Sequence, residues 1–284
     1  MNGITYLALT IIFSSGVAMT MKVANTGDFK LGQVLAVNYV VCCLSLLIQG
    51  TWHIHMLGSP LLWALGVFVG FMYVVSLWLY DRAIATTGLA LSTTLMRLSA
   101  ALPTLGSLLI FSERASIFQL LGLALAFACL PLASKKPLRF GQVGKNLLRG
   151  MIWGLSLFVA SGVTDFAFKL QAELEPEADP NGFMILIFGT ALMLTLPQLF
   201  KGTRPGKQCI FWGFALGATN VLATFFKILA LVHLPGSVAF PTMGLGVIAF
   251  TTMASLLIWK EKLNPANYVF LTLAVVAVFL INLG

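Results

Sequence analysis

Ten long apolar runs dominate this chain of 284 residues. A membrane-crossing helix needs about 20 mostly apolar residues, so these runs would place about 200 residues in a bilayer. Only 9% of the residues are charged, against about 25% in ordinary soluble domains. The pattern excludes a water-soluble globule and a disordered chain, and the lack of strict alternation excludes an outer-membrane barrel. We therefore expect an all-α polytopic membrane protein.

The predicted spans are joined by short loops that contain turn and capping residues. Ser116 followed by Gln119 fits a capping box, and Asn264 followed by Pro265 fits an N-cap with a first-turn proline. The ten transmembrane helices are predicted at residues 3–24, 31–49, 60–81, 88–111, 117–134, 147–171, 182–200, 208–232, 237–259 and 266–283.

Lysine and arginine are concentrated on one side of the predicted membrane. The loops after helices 1, 3, 5, 7 and 9 carry twelve of them, whereas the opposite loops carry Arg114 and the acidic segment 173–179. Because positively charged loops stay in the cytoplasm, both termini are predicted on the non-cytoplasmic side. We expect a location in a bacterial inner membrane, and we attribute the net charge of +8 to topology rather than to nucleic-acid binding.

The two halves of the chain are similar to each other at a shift of 147 or 148 residues. Lys22, which closes helix 1, falls on Lys169, which closes helix 6. Each half holds five helices, an odd number, so the second copy is expected to be inverted in the membrane, as in secondary transporters. We predict a first repeat at 1–136, a basic linker at 137–146 and a second repeat at 147–284. The other coinciding positions are Gly66 and Gly70 with Gly213 and Gly217, Gly88 with Gly236, and Glu113-Arg114 with Glu261-Lys262.

Further motifs lie near the ends of helices 1 and 4. Segment 15–22 ends in a lysine, and Pro103 is followed by Glu113-Arg114. These features, together with segment 83–92, resemble EamA-type members of the drug/metabolite transporter superfamily. The second half has Thr251 where the repeat would place the proline. The resemblance implies two inverted five-helix repeats, with helices 1, 3, 4, 6, 8 and 9 around a central cavity, and transport of small metabolites.

Three charged residues lie well inside predicted spans: Arg97, Asp165 and Lys227. Such residues are functional candidates because charge is costly in hydrocarbon. Arg97 in helix 4 could hold a carboxylate or phosphate, or it could join helices through a carboxylate or backbone carbonyls. Asp165 in helix 6 could pair with Lys169 or Lys227, contact a substrate amine, or carry a coupling proton. Lys22 is a further charge-pairing candidate.

Polar residues on helices 3 and 8 complete the predicted substrate site. Asn220, Thr224 and Lys227 share one helix face because they follow i, i+4, i+7 spacing. The repeat places Asn220 on Tyr73 and Lys227 on Tyr80. Lys227 could bind an anionic group or extend its ammonium group toward the membrane surface. The tyrosines could stack on an aromatic substrate or serve packing alone.

Helix-bending residues are candidates for gating. Pro103, Pro241 and Gly244 could weaken backbone hydrogen bonding where a transporter bends, although kinks of purely structural use are equally common.

The leading hypothesis is a secondary transporter that moves a small polar metabolite, an amino acid or an organic anion, by alternating access. The alternative is a flippase for a lipid-linked phosphate or headgroup. No Walker A motif is present to support direct use of ATP, and no nucleophile–base pair indicates an enzyme. The expected partners are the substrate, the lipid bilayer and coupling protons. No cofactor, metal ion or nucleic acid is expected.

Overall fold

A computed structural model describes residues 3–27, 30–49, 59–99, 101–110, 116–129, 145–201, 204–234 and 236–283. Within these ranges the regular structure is helical throughout, which confirms the predicted all-α class. The α-helices are α1 (Gly3–Thr26), α2 (Leu31–Gln49), α3 (Pro60–Thr87), α4 (Leu89–Leu98), α5 (Ala101–Ile110), α6 (Ile117–Cys129), α7 (Lys145–Leu174), α8 (Pro180–Thr195), α9 (Lys207–His233), α10 (Gly236–Leu257) and α11 (Pro265–Asn282); a 3-10 helix, Leu196–Leu199, follows α8.

Six helical segments among the described residues are long and apolar enough to cross a membrane. They are Gly3–Thr26, Leu31–Ile48, Pro60–Thr87, Gly150–Leu174, Pro180–Leu199 and Lys207–His233. The shorter apolar segments are Ile117–Ala126, Thr242–Leu257 and Pro265–Leu280.

The fourth predicted helix is not continuous, because it is divided into α4 and α5. A proline inside a helix lacks the amide N–H, and its ring clashes with the carbonyl four residues earlier. For Pro103 that carbonyl belongs to Ser99, directly after the end of α4. The Leu102 amide donates to the Ser99 carbonyl at 2.9 Å, and the Ser99 hydroxyl donates to the Met96 carbonyl at 2.5 Å. The expectation of one unbroken helix over 88–111 is therefore corrected.

Local capping explains where several helices begin and end. The predicted capping box of α6 is confirmed, since Ser116 and Gln119 exchange two hydrogen bonds of 3.2 Å. The predicted cap of α11 is also confirmed, because Asn264 accepts from the Asn267 amide at 2.9 Å. By contrast, α3 extends six residues beyond its predicted end and stops at Gly88, whose φ of 88° favours glycine.

The first compact unit consists of Met1–Trp78 and Ala167–Leu234. Here α1 packs along α9, with the rings of Phe13 and Phe226 stacked at 5.8 Å between centroids. Close approaches occur at glycines: Gly217 of α9 faces the backbone of α2, and Gly70 of α3 faces the backbone of α8. Small residues of this kind let helix backbones approach each other, which is a common packing mode between membrane helices.

Contacts at the helix ends of this unit show an antiparallel arrangement. The Ser59 hydroxyl, just before α3, donates to the carboxylate of Glu175, just after α7. Gly3 at the start of α1 lies against Leu234, which follows α9.

The second compact unit consists of Leu79–Phe166 and Pro235–Gly284. Its core is aliphatic and aromatic, and α11 packs against α6 while α10 packs against α4. Fully buried members of this core are Leu91, Leu98, Phe158 and Phe270. Each unit takes residues from both predicted repeats, and α3 and α7 contribute to both units. Most of the predicted linker 137–146, and the Glu113-Arg114 turn, lie outside the described residues.

Candidate functional site

A hydroxyl pair joins α3 to α9 in the first unit. The Tyr73 hydroxyl and the Thr224 hydroxyl lie 2.9 Å apart, within hydrogen-bond distance. Thr224 is buried and Tyr73 is half-buried. Two predicted substrate-binding residues, which lie on different helices, are therefore in direct contact.

Lys227 lies on an aromatic face beside this pair. Its ammonium nitrogen is 4.1 Å from the centroid of the Phe168 ring, a cation–π geometry. The Tyr73 ring also packs on Phe168, at 6.2 Å between centroids. The structure thus brings Tyr73, Thr224 and Lys227 together around Phe168, a ring that the sequence analysis missed. In an apolar helix, no sequence signal distinguishes a phenylalanine that contacts a lysine from one that serves packing alone.

The aromatic contacts continue from Tyr73 toward α2. Phe188 of α8 lies edge-on to Tyr73 at 5.9 Å and contacts Tyr39 of α2 at 6.3 Å. Phe188, Tyr39 and Phe168 are all fully buried. We call Tyr39, Tyr73, Phe168, Phe188 and Lys227 the aromatic–lysine cluster. It presents one cation and two phenolic hydroxyls within an apolar unit, which is a suitable arrangement for holding an anionic or polar group.

Asn220 contacts α2 rather than the aromatic–lysine cluster. Its amide nitrogen donates to the side-chain oxygen of Asn38 at 3.3 Å, and both side chains are buried. The nearby Cys42 thiol contacts the Gly217 carbonyl at 3.4 Å. This amide pair holds two closely packed helices together, as polar residues often do between membrane helices. Asn38 was missed, although an asparagine within an apolar run is a signal that could have identified it.

The second unit contains a similar hydroxyl pair next to Arg97. The Tyr80 hydroxyl lies 2.6 Å from the Thr93 hydroxyl of α4. Arg97 is four residues beyond Thr93, on the same face of α4, and it lies in the last turn of that helix. A Cβ built on Gly244 of α10 would lie 3.7 Å from the Arg97 carbonyl oxygen, in ordinary contact. The structure therefore brings three predicted residues together at α4: Tyr80 contacts its Thr93, and Gly244 lies against its Arg97.

The remaining predicted residues occupy α1, α5, α7 and α10. Asp165 and Lys169 are both on α7, one turn apart and half-buried, and Lys22 of α1 is buried. Pro103 is buried in the first turn of α5. The backbone of α10 is helical through position 241, so Pro241 does not divide its helix. No group of three His, Cys, Asp or Glu side chains suited to a metal ion occurs in the part of the chain that the structure describes.

Comparisons with known proteins support the fold and are silent on activity. No family model matches the chain. A protein of Haemophilus influenzae, described as uncharacterized, is 25% identical over 285 residues, covering 96% of each sequence. A solved crystal structure with 15% identity matches 98% of this chain and 95% of its own, with a TM-score of 0.67. That similarity shows a shared fold.

Proposed function

We propose that this chain is an integral membrane protein that carries a small polar metabolite, an amino acid or an organic anion, across the bilayer by alternating access. Its six long apolar helices support membrane insertion. So do the large apolar side chains exposed along α3, where Trp63, Phe68 and Phe71 are 48%, 38% and 49% exposed. Soluble monomers rarely expose contiguous apolar surface of this kind.

The observation that carries the transport proposal is the position of Lys227. Its ammonium group lies on the Phe168 ring, about three-quarters of the way along the 27-residue apolar helix α9 and one turn from the Tyr73–Thr224 hydroxyl pair. A cation within a membrane helix serves a site, pairs with another group or extends toward the membrane surface. The contact of the Lys227 ammonium group with the fully buried Phe168 ring favours a role inside the protein. In the proposed function Lys227 binds the anionic group of the substrate and the hydroxyl pair accepts or donates the adjoining hydrogen bond.

The proposal includes the organisation predicted from the sequence. The chain spans a bacterial inner membrane with both termini outside the cytoplasm, in two inverted repeats resembling EamA-type transporters. The positive loops and the internal similarity support this organisation, and Arg97 with Tyr80 and Thr93 supplies a second polar position. Alternating access then exposes the substrate position to each side of the membrane in turn.

Uptake by proteoliposomes tests the role of Lys227. Thermal-shift screening of amino acids, organic acids and nucleosides would first identify a binder, because a ligand stabilises the state that binds it. For that compound, Lys227→Gln should lower uptake by about 10- to 100-fold, since a hydrogen bond to a charged group contributes about 1.5–3 kcal/mol. Lys227→Arg should restore part of it. Lys207→Gln, which removes an exposed lysine from the same helix, is the matched control. Normal uptake by Lys227→Gln would refute the proposed role.

Proton coupling forms a separate part of the proposal. Asp165 is a half-buried aspartate in α7, and we assign the coupling proton to its side chain because an ionisable group within a membrane helix is a functional candidate. We expect uptake to respond to an imposed pH gradient in the native protein and to lose that response in Asp165→Asn. Uptake that ignores the gradient in the native protein would remove Asp165 from the mechanism and leave a facilitator.

One observation favours the alternative function, a lipid-linked flippase. An open groove of about 610 Å³ lies along α3 and α8 and is apolar apart from Thr190. Its lining residues are Trp63, Ala64, Val67, Phe68, Phe71, Thr190 and Leu194. Such a groove suits an acyl chain. Movement of a fluorescent lipid between the leaflets of proteoliposomes that contain the protein, without uptake of any soluble compound, would favour this alternative.

A further inference from the structure

The N-terminus of α4 is capped by a residue from a distant part of the chain. Both carboxylate oxygens of Glu261, in the loop between α10 and α11, accept from the Leu89 amide, at 3.0 and 3.1 Å. The residue before α4 is Gly88, which has no side chain to serve as a cap. A Ser, Thr, Asp or Asn directly before the helix usually provides this acceptor. In α4 it is provided by Glu261, from the loop between α10 and α11.

Burial makes this acceptor important. Leu89, Ala90 and Leu91 are fully buried, so water cannot satisfy the first amides of α4. An ionised carboxylate at a helix N-terminus is also favourable with the helix dipole. A helix of ten residues has little stability of its own and depends on such contacts.

The carboxylate is itself held in place by Ser255 of α10. The Ser255 hydroxyl donates to Glu261 at 2.5 Å, and the Glu261 amide donates to the Ser255 carbonyl at 3.1 Å. Between them Lys260 adopts a left-handed φ of 50°, which turns the chain back toward α10. The end of α10 and the start of α4 are thus connected through one side chain.

Leu89, Thr93 and Arg97 follow at successive turns on one face of α4. Leu89 is held by Glu261, and Thr93 by the Tyr80 hydroxyl. The backbone at Arg97 lies against Gly244. We propose that Glu261 is a positioning residue, whose carboxylate fixes the axial position of α4 and thereby the height of Thr93 and Arg97. This inference rests on the proposed function only for its effect on transport.

Hydrogen–deuterium exchange of the purified protein tests the contact independently of transport. In Glu261→Ala the amides of residues 89–92 should exchange about 2- to 30-fold faster, the effect expected from losing one helix cap. Glu261→Gln keeps one oxygen acceptor and should restore part of the protection, and Ser255→Ala should give a smaller increase. Lys262→Gln changes an exposed charge in the same loop and should leave α4 unaffected. Unchanged exchange in both Glu261 variants would overturn the inference.

Uptake kinetics test the positioning role. At equal amounts of folded protein, Glu261→Ala should raise the KM of the compound identified by thermal shift by about 2- to 30-fold, with partial recovery in Glu261→Gln. Faster exchange with an unchanged KM and kcat would refute positioning. If the native protein takes up no compound in the screen and α4 still exchanges faster in Glu261→Ala, the transport proposal fails and the cap remains.

Discussion

Replacement of Gly70 by alanine should loosen the crossing of α3 and α8. A Cβ at this position would meet the carbonyl oxygen of Ile187 and would lie 2.8 Å from the Cβ of Thr190. Neither atom is the far end of a flexible side chain, so the two helices must move apart. Overpacking of this kind costs about 1–3 kcal/mol in the free energy of unfolding. The higher helix propensity of alanine offsets about 1 kcal/mol of this cost and leaves a net loss of up to about 2 kcal/mol. At about 2–4 °C per kcal/mol, the melting temperature should fall by up to about 8 °C relative to the native protein.

Gly189 of α8 provides the matched control. A Cβ there would have nothing within 4 Å, so Gly189→Ala meets no steric cost. Alanine is better than glycine within a helix by about 1 kcal/mol, and the melting temperature should stay constant or rise. Thermal unfolding of both variants in the same detergent, followed by tryptophan fluorescence, gives the comparison. Because the helix-propensity gain is common to both variants, Gly70→Ala should melt about 2–12 °C below Gly189→Ala. Equal melting temperatures of the two variants would refute the close-contact argument.

Further predictions concern hydrogen bonds in the first unit and a helix cap. Tyr73→Phe and Thr224→Val should be non-additive, with a coupling of about 0.5–1.5 kcal/mol in a double-mutant cycle of chemical denaturation; full additivity would mean that the two hydroxyls do not interact. Asn220→Ala should cost about 1–3 kcal/mol by the same measurement, because it leaves the buried oxygen of Asn38 with only the weak thiol donor of Cys42, at 3.9 Å; an effect near zero would contradict the Asn220–Asn38 bond. Asn264→Ala should cost about 0.5–2 kcal/mol and should increase amide exchange at the start of α11, whereas unchanged exchange there would show that the cap is dispensable.

The helical framework could be predicted because its signals are local. Uninterrupted apolar runs identified the helices, and the spacing of Ser116 with Gln119 and of Asn264 with Pro265 identified two caps. The extension of α3 to Thr87 was missed because polar residues after position 80 suggested a membrane boundary, while the helix continues to the next glycine.

The candidate site was predictable only in part, because its contacts depend on how helices are rotated against each other. Spacing on α9 placed Thr224 and Lys227 on one face, and the structure adds Tyr73 to them. The same spacing included Asn220, whose side chain contacts α2. Phe168 is separated from Lys227 by more than 50 residues, and no local pattern predicts that its ring would lie beneath that ammonium group.

The division between α4 and α5 changes where Arg97 lies in its helix. Within a continuous helix, a guanidinium at mid-span would depend on a water-filled cavity or an acidic partner. In the structure Arg97 is in the last turn of α4, and Ser99 caps that turn: its hydroxyl donates to the Met96 carbonyl at 2.5 Å and its amide donates to the Arg97 carbonyl. The division thus places Arg97 one residue before the end of a ten-residue helix rather than in the middle of a longer one, a position that a single apolar run over 88–111 could not indicate.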